Sequence, residues 1–338
     1  MILIYLSQFL IGKLYMNRDK FSIIVWMIDL HTHSNFSDGN LSPDMLINEA
    51  FKQGLYAIAL TDHDTIKGLE IAKKAAIQLE CRQSDNIRKF SFIPGIEISI
   101  NWTGNKSING VVRHDVPGLG PGGEFHLLGL GINTPSPAFI VAVDELASRR
   151  VKRNRKIFER MVELSMINPD DMESAWKELT LISGGNSLGR PHFAVFLIKH
   201  KFVKNIKQAF THFLGAGKPL YVPKEGIAFE EAVVLIRESG GIPVLAHPLS
   251  LFIAWGRLPD LVKSLKEMGL MGLEAWHPIA KSGSCRRLEA LGKSLGLYVT
   301  EGSDFHGSFR PVSRLGYSNK GRKINDAILE AIPELQNS

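Results

Sequence analysis

The chain has 338 residues, of which 44% are apolar and 22% are charged, and these proportions are typical of a globular protein with a sizeable core. The net charge of +6 favours anionic partners without identifying one. The two cysteines, Cys81 and Cys285, exclude a small disulfide-stapled scaffold and fit a reducing cytoplasm.

Residues 1–26 precede the first clear element, and we interpret them as a non-essential N-terminal extension ahead of a natural start at Met27. The apolar run that begins this segment is too short and too interrupted to span a membrane. It also lacks the basic region and the cleavage site of a secretory signal. An interfacial anchor is the alternative interpretation of these residues. No other segment is a candidate membrane span.

From Met27 onward, short apolar runs alternate with helical patterns, which predicts an α/β fold with mostly parallel strands. Strands are expected in MIDL, LYAIAL, FSFIPGIEIS, FHLLGLGI, IPVLAHP, MGLEAWHP and LYVTEGSDFHG. The first helix is expected in SPDMLINEAFKQG, with Ser42 as N-cap, Pro43 at the first position and Gly54 as the stop. A second helix is expected in DTIKGLEIAKKAAIQLE. The Gly-rich stretch between the third and fourth strands indicates a long loop and is not a P-loop.

Residues 137–226 almost lack strand patterns, and we predict that they form a helical insertion within an α/β body of residues 27–136 and 227–338. AFIVAVDELASRRVKRNRKIFERMVELS predicts one long helix, and shorter helices are expected in DDMESAWKEL, RPHFAVFLIKH and IKQAFTHFLG. The basic run from Arg149 to Lys156 lies in the long helix. We interpret it as a solvated helix face, and guidance of an RNA backbone is the alternative.

Histidines and acids concentrate at predicted strand ends. Six of the eleven histidines are placed at or just beyond the C-terminal end of a strand, where α/β active sites assemble: His31, His33, His63, His126, His247 and His306. Five acids occupy the same edge, and three of them are candidate ligands: Asp38, Glu97 and Asp304. Imidazoles and carboxylates without thiolates fit Zn²⁺, Mn²⁺ or Fe²⁺. Because nine ligands are too many for one ion, the pattern predicts two or three ions, which suits displacement at phosphorus.

Residue spacing supports the convergence of these groups. His31 and His33 are two residues apart on a predicted strand and should share a face, and Asp304 and His306 repeat that spacing. The two pairs would meet if the last strand lay beside the first.

Other polar residues near the strand ends are interpreted differently. Asp62 and Asp64 flank His63, and we expect them to orient it or to cap the next helix. Glu274 ends a strand on the same edge, and both a ligand-orienting role and a structural role stay open for it. The remaining histidines of interest are interpreted as structural: His114, His200, His212 and His277.

The motifs DLHTHSNFSDG, TDHD, GIEIS, HLLG, RPHF, AHP and GSDFHG, in that order, resemble those of the PHP (polymerase and histidinol phosphatase) family of metal-dependent phosphoesterases. The resemblance runs from about Met27 to Phe309. Because RPHF lies inside a helical insertion, the chain resembles in particular the subgroup of stand-alone PHP enzymes that act on nucleoside 3′,5′-bisphosphates and on the 5′ ends of short RNA. The resemblance implies a distorted seven-stranded β/α barrel with a site for three ions, often Mn²⁺.

The resemblance also implies a role for each site residue. The first ion would be held by His31, His33, Glu97 and Asp304. The second would be held by Asp38, His63 and His306. Glu97 would bridge to a third, held also by His126 and His247. A hydroxide bridging the ions would be the nucleophile, and Arg190 and His192 would bind the substrate phosphate.

The sequence therefore predicts a metal-dependent phosphoesterase that acts on a nucleotide or on short RNA, without DNA-specific binding and without a membrane partner. A small-metabolite phosphatase, such as a histidinol phosphatase, is one alternative, and the RPHF-bearing insertion argues against it. A non-catalytic metal-binding module is another, and the complete ligand set argues against that.

Overall fold

The computed structural model describes residues 26–82, 89–101 and 124–336. Nearly all of the predicted N-terminal extension and of the Gly-rich loop lies outside these ranges, as does His114. Among the described helices, none is both long enough and apolar enough to cross a membrane.

Seven strands form one sheet whose spatial order follows the chain. They are β1 (Met27–Asp29), β2 (Leu55–Leu60), β3 (Ser91–Ser99), β4 (His126–Leu130), β5 (Ile242–Leu245), β6 (Gly272–Trp276) and β7 (Tyr298–Glu301). Each coincides with a predicted apolar run. Four neighbouring pairs are parallel, whereas β4 runs antiparallel to both β3 and β5. The strands are buried almost throughout, as expected for a sheet that is covered by helices.

The two edge strands of the sheet approach each other and nearly close it into a barrel. Beyond the ends of β1 and β7, Thr32 forms a parallel bridge with Phe305, and the His33 amide donates to the Phe305 carbonyl at 2.9 Å. The predicted seven-stranded distorted barrel is therefore confirmed, and the expected meeting of the first and last strands takes place.

Within the described ranges, six helices accompany the strands of the barrel: α1 (Pro43–Lys52), α2 (Leu69–Glu80), α7 (Phe229–Glu238), α8 (Leu258–Glu267), α9 (Ser282–Ser294) and α10 (Ala327–Glu330). The predicted bounds of α1 are confirmed, and Gly54 adopts the positive φ of 80° that stops the chain from continuing. The Ser42 hydroxyl, however, donates to the Asp44 side chain instead of capping the helix.

The predicted start of α2 at Asp64 is wrong, because the helix begins only at Leu69. Asp64 has a φ of 54°, outside the helical region, and its carboxylate accepts hydrogen bonds from the Ser99 amide and hydroxyl. Asp62 likewise accepts from Ser34 and Ser37. Both acids therefore tie loops together at the barrel edge, and the predicted capping role is not observed.

Residues 137–226 contain only helices and connecting turns. The helices are α3 (Pro137–Glu163), α4 (Met172–Ile182), α5 (Arg190–Lys199) and α6 (Ile206–Ala209), which a π-helical turn at Phe210–Leu214 follows. The first part of α3 packs Phe139, Val143 and Leu146 into the barrel core. Residues between 157 and 222 build a separate apolar cluster. This second cluster supports the division into 27–136, 137–226 and 227–338, which stays a prediction.

The interpretation of the basic run as a solvated face is wrong for two of its members. Lys152, Arg155 and Lys156 are exposed, but Arg150 and Arg153 are each only 6% exposed. The spacing of three residues places these two arginines on the inner face of α3. That face also buries Ile157.

Candidate metal centre

All nine predicted metal ligands lie in one cluster at one edge of the barrel. Their ligand atoms form four groups, and within each group the atoms lie within 4.8 Å of one another. The groups are His33, Asp38, His63 and His306; His31, His247 and Asp304; His31, His33 and Glu97; and His63, Glu97 and His126. Shared members connect the four groups into one continuous centre.

The reversed strand β4 explains how His126 reaches the centre. His126 is the first residue of β4, so its predicted position at a C-terminal strand end is wrong. Because β4 runs antiparallel to β3, its start pairs with the end of β3, where His126 faces Ser99. The N-terminal end of β4 therefore lies at the same edge as the C-terminal ends of its neighbours.

His31 and His33 face the same way, as their spacing predicted. Strand β1 ends at Asp29, but the Thr32 bridge keeps the following backbone extended, and the two Nε2 atoms lie 3.1 Å apart. The Nδ1 atom of His31 lies 2.9 Å from Glu274 Oε1. This contact directs the opposite ring nitrogen of His31 towards the cluster.

Glu97 occupies the middle of the centre and presents its two oxygens to different histidines. Its Oε1 atom lies 2.7 Å from His126 Nδ1 and 2.8 Å from His247 Nε2. Its Oε2 atom lies 3.0 Å from His63 Nδ1 and 3.2 Å from His33 Nε2. A carboxylate that bridges two cations needs this arrangement, with one oxygen for each side.

Asp38 and Asp304 flank the centre from two loops. Asp38 Oδ1 lies 3.3 Å from His306 Nε2 and 3.8 Å from His63 Nε2. Asp304 Oδ1 lies 3.3 Å from both His33 Nε2 and His306 Nδ1. Asp304 adopts a φ of 49°, a conformation that is uncommon for a residue other than glycine and that turns its carboxylate towards the cluster.

The surrounding imidazoles keep these carboxylates ionised. Burial raises the pKa of Glu97, but the neighbouring His63, His126 and His31 outweigh burial and hold that pKa well below its usual range. The pKa values of Asp38 and Asp304 are also lowered well below the usual range, against the effect of burial. The centre therefore offers three carboxylate anions at neutral pH.

The histidines differ in their protonation. Burial lowers the pKa of His33, but the close carboxylates of Asp304 and Glu97 outweigh burial and raise that pKa to about 9. Burial and Lys224 together lower the pKa of His126 to about 4. Because a metal ligand must be an unprotonated imidazole, a cation entering the centre would displace the proton of His33.

Several atoms of the centre have no hydrogen-bond partner among the described residues. Asp38 Oδ1, His63 Nδ1 and Glu97 Oε2 are all buried in this state. Buried polar atoms are rarely left without partners, and a bound cation would satisfy all three. The donor set of imidazoles and carboxylates is the one that Mn²⁺, Zn²⁺ and Fe²⁺ accept. The residues therefore fit the metal centre that the motifs imply.

Glu274 supports two of the predicted ligands at once. One of its oxygens contacts His31, and the other accepts a hydrogen bond from the His247 amide at 2.7 Å. This geometry favours the ligand-orienting role over the purely structural one. His247 adopts a φ of 26°, and the bond from its amide helps to fix that unusual backbone.

Two residues around Asp304 and one beside His126 add contacts that the sequence did not predict. His277, interpreted from the sequence as structural, lies with its Nε2 atom 2.9 Å from Asp304 Oδ2, and Arg310 pairs with the same oxygen. Lys224 Nζ lies 3.0 Å from His126 Nε2. The only sequence signal for Arg310 was its position just after the GSDFHG motif, and Lys224 lies outside every motif.

Arg190 and His192 lie at the start of α5, against the metal centre. Arg190 pairs with Glu124, and its guanidinium lies 5.7 Å from the Phe210 ring. His192 Nδ1 accepts a hydrogen bond from the Gly189 amide at 2.8 Å, and its buried Nε2 atom has no partner among the described residues. Gly189 packs so closely on Asp38 that an added Cβ would lie 2.8 Å from the Asp38 Cβ.

The two remaining histidines interpreted as structural belong to none of the four ligand groups among the described residues. His200 follows α5 and pairs with Glu178 of α4 at 3.1 Å. His212 lies in the π-helical turn, where its ring contacts Phe213.

Comparison with known proteins identifies a matching family and similar bacterial proteins. The PHP domain matches residues 29–190. A 5′-3′ exoribonuclease of Haemophilus influenzae is 30% identical over 278 residues, which cover 82% of this chain and 89% of that protein. A 3′,5′-nucleoside bisphosphate phosphatase of Chromobacterium violaceum is 29% identical over 279 residues, which cover 82% of this chain and 87% of that protein.

A solved structure is similar to this chain in fold. It is an amidohydrolase of Chromobacterium violaceum, crystallised with sulfate and without metal, and it is 27% identical to this chain. It superimposes with a TM-score of 0.70 and covers 90% of this chain and 96% of its own. The chain belongs to the PHP family and, like the two relatives above, is a hydrolase of phosphate esters, as its motifs predicted.

Proposed function

We propose that the centre binds three divalent cations, with Mn²⁺ as the expected metal and Zn²⁺ or Fe²⁺ as the other metals that fit. His31, His33, Glu97 and Asp304 would hold the first. Asp38, His63 and His306 would hold the second, and Glu97, His126 and His247 the third. The observation that carries this proposal is the convergence of all nine side chains on one edge, with Glu97 between two sets of histidines.

When bound, the cations would neutralise charge on the phosphoryl oxygens and activate water at neutral pH. The chain positions its own groups for that chemistry. Glu274 orients the His31 ring and fixes the His247 backbone, while Arg310 and His277 hold the outer oxygen of Asp304. These four contacts pre-organise ligands before substrate arrives, so little reorganisation is needed during the reaction.

We propose that the substrate is a phosphate ester of a nucleotide, either a nucleoside 3′,5′-bisphosphate or the 5′ end of a short RNA. The names of the two relatives above support this class of substrate. Arg190 and His192 support it as well, because the N-terminus of α5 places beside the centre a guanidinium and a buried imidazole nitrogen that no described residue pairs with. A guanidinium can grip a phosphate with two parallel hydrogen bonds.

The test is a substrate comparison with the purified full chain in Mn²⁺. We expect hydrolysis of nucleoside 3′,5′-bisphosphates or of short 5′-phosphorylated RNA at rates far above that of histidinol phosphate. A preference for histidinol phosphate would contradict the proposed substrate and favour the small-metabolite alternative. Absence of any hydrolysis, in protein that carries its metal, would favour a non-catalytic module.

The number of cations is tested separately by elemental analysis of the purified protein. We expect about three ions for each chain, one for each of the three ligand sets proposed above. A content of one ion in active protein would contradict the three-ion assignment and leave the phosphoesterase activity intact.

A further inference from the structure

A cavity of about 550 Å³ lies between the solvent-facing side of α1 and the loop that follows β7. Its size is that of a site for a small molecule. Four residues of α1 line it at the spacing of one helix face: Met45, Asn48, Glu49 and Lys52. The opposite face of α1 is buried through Leu46 and Ala50. Because α1 holds no predicted metal ligand, this wall of the cavity is separate from the metal centre.

Two loops that carry predicted ligands form another wall of the same cavity. Asn40 is two residues past Asp38, and Gly307 directly follows His306. The Asn40 side chain donates to the Ser308 hydroxyl at 3.0 Å, which joins the two loops. The Cα atoms of Asn40 and Asp38 are at most about 7 Å apart, since two residues of extended chain span no more. The cavity is therefore within reach of a nucleoside whose phosphate is at the centre.

The charge of the cavity does not suit a phosphate. Among the described residues that line it, the charged ones are Glu49 and Lys52, which have opposite signs. The helical segment beside the centre, in contrast, presents the guanidinium of Arg190. A lining without net charge fits an uncharged group better than an anion.

Two amide side chains of this lining have already committed their N–H groups. Asn48 Nδ2 donates to the Asp44 carbonyl at 2.7 Å, and Gln53 Nε2 donates to Glu49 Oε1 at 2.8 Å. Because a carbonyl and a carboxylate only accept, each partner fixes which end of the amide is the nitrogen. The amide oxygens of Asn48 and Gln53 therefore remain as acceptors for a ligand that brings N–H groups.

Apolar side chains complete the lining. Leu41 and Phe305 are half-buried, and Met45 is 55% exposed. A flat ring that covered Met45 would remove apolar surface from water and would contact a polarisable thioether. The cavity thus combines apolar contact for the face of a ring with acceptors for its edge.

We infer that this cavity binds the base of the substrate nucleoside and prefers a base with an exocyclic amino group. The inference rests on the proposed function, since it assumes that a nucleotide phosphate is at the metal centre. Met45 and Phe305 would contact the face of the base, and the amide oxygens of Asn48 and Gln53 would accept from its amino group. Cytosine brings such a donor, whereas uracil places a carbonyl oxygen at the same ring position.

The test compares cytidine 3′,5′-bisphosphate with uridine 3′,5′-bisphosphate on the full chain in Mn²⁺, because the two bases have the same ring and similar size. We expect kcat/KM to be about 5-fold higher for the cytidine compound, as for one neutral hydrogen bond. The difference should lie in KM, since both phosphates meet the same metal centre. Equal kcat/KM values in the wild-type chain would overturn the preference.

Asn48→Leu and Gln53→Met assign the preference to this cavity, because each keeps the side-chain size, removes the amide oxygen and introduces a good helix former. Each variant should raise the KM for the cytidine compound about 3- to 5-fold and leave that for the uridine compound within about two-fold. The manganese content should not change. Gln78→Met, which removes an exposed amide from α2, is the matched control and should alter neither KM.

A preference for cytidine that persists unchanged in both variants would overturn the assignment while the phosphoesterase function stands. If the wild-type chain hydrolyses neither compound, the proposed function fails, and calorimetric binding of both compounds to chelator-treated protein judges the cavity instead. Tighter binding of the cytidine compound that Asn48→Leu abolishes and Gln78→Met preserves would then support a base site. Equal binding of the two compounds would refute it.

Discussion

The barrel edge concentrates buried carboxylates, whereas the neighbouring helical segment concentrates cationic side chains, and the two sets of charges differ in their partners. At the barrel edge, three buried carboxylates are surrounded by imidazoles, which keep them ionised and fix them between loops. On the side of α3 and α5, the buried Arg150 and Arg153 each keep a donor atom without a hydrogen-bond partner among the described residues. The first arrangement suits cations, and the second suits anions.

This contrast suggests a division of labour within one site. The barrel supplies the metal ligands from the ends of its strands, where the backbone hydrogen bonds of the sheet fix their positions. The helical segment supplies the groups that would meet the substrate. If the division holds, barrel variants should impair metal binding and turnover together, and variants of the helical segment should change substrate affinity while the metal stays in place.

The largest effect is expected from Asp304→Asn at the barrel edge. It removes one ligand charge and weakens the contacts to Arg310 and His277, so turnover in Mn²⁺ should fall by about 10²–10³-fold or more. Steady-state assays and elemental analysis of the same preparation measure both consequences. Asp260→Asn, an exposed substitution on α8, is the control. Retention of full activity in the Asp304 variant would refute its assignment as a ligand.

Glu274→Gln should have the next largest effect, although Glu274 is not a predicted ligand. The amide cannot accept from His31 and His247 as the carboxylate does, so the affinity for Mn²⁺ should fall by about 10–100-fold. Metal titration of the chelator-treated protein measures this change, with the exposed Glu267→Gln as control. An unchanged dissociation constant would reduce Glu274 to a structural role.

Arg190→Lys tests whether the helical segment contributes to substrate binding. It keeps the charge but loses the planar fork, so we expect the KM for the nucleotide substrate to rise about 10-fold with little change in kcat. The metal content should equal that of the wild-type chain, and Arg237→Lys on the exposed face of α7 is the matched control. A fall in metal content would break the division between the two regions.

Gly189→Ala should produce the smallest effect, because it probes the contact between the two regions. An added Cβ would lie 2.8 Å from the Asp38 Cβ and 3.2 Å from Arg150 Nη2, whereas the φ of −134° is accessible to alanine. Pushing α5 away from Asp38 should lower the free energy of unfolding by about 1–2 kcal/mol and the activity a few-fold. Denaturant melts measure the first quantity. Gly283→Ala, at a position where the structure leaves open space, should lower neither the free energy of unfolding nor the activity.

Much of this protein was predictable because its signals are local. The apolar runs placed all seven strands, and the motifs placed all nine side chains that the structure brings together. The two-residue spacing of His31 and His33 sufficed to predict a shared face, since extended backbone alternates its side chains. Proline and glycine marked the ends of α1 for similarly local reasons.

Tertiary structure decided the features that depend on which elements are neighbours. His126 reaches the centre only because β4 is reversed, and strand direction leaves no mark in a short apolar run. Arg150 and Arg153 are buried only because α5 and the barrel edge cover one face of α3. Helical periodicity predicts that a face exists, but it does not reveal what packs on it when the residues are charged.

The sequence by itself determined the chemistry of the centre, since residue types and their spacing within each strand end specify which ligands are available. Only the tertiary structure decided how those ends converge, which carboxylate lies between the histidines, and which cations stand beside them. The physical reason is that ligand identity is a property of single residues, whereas pairing and burial depend on contacts between residues far apart in the chain.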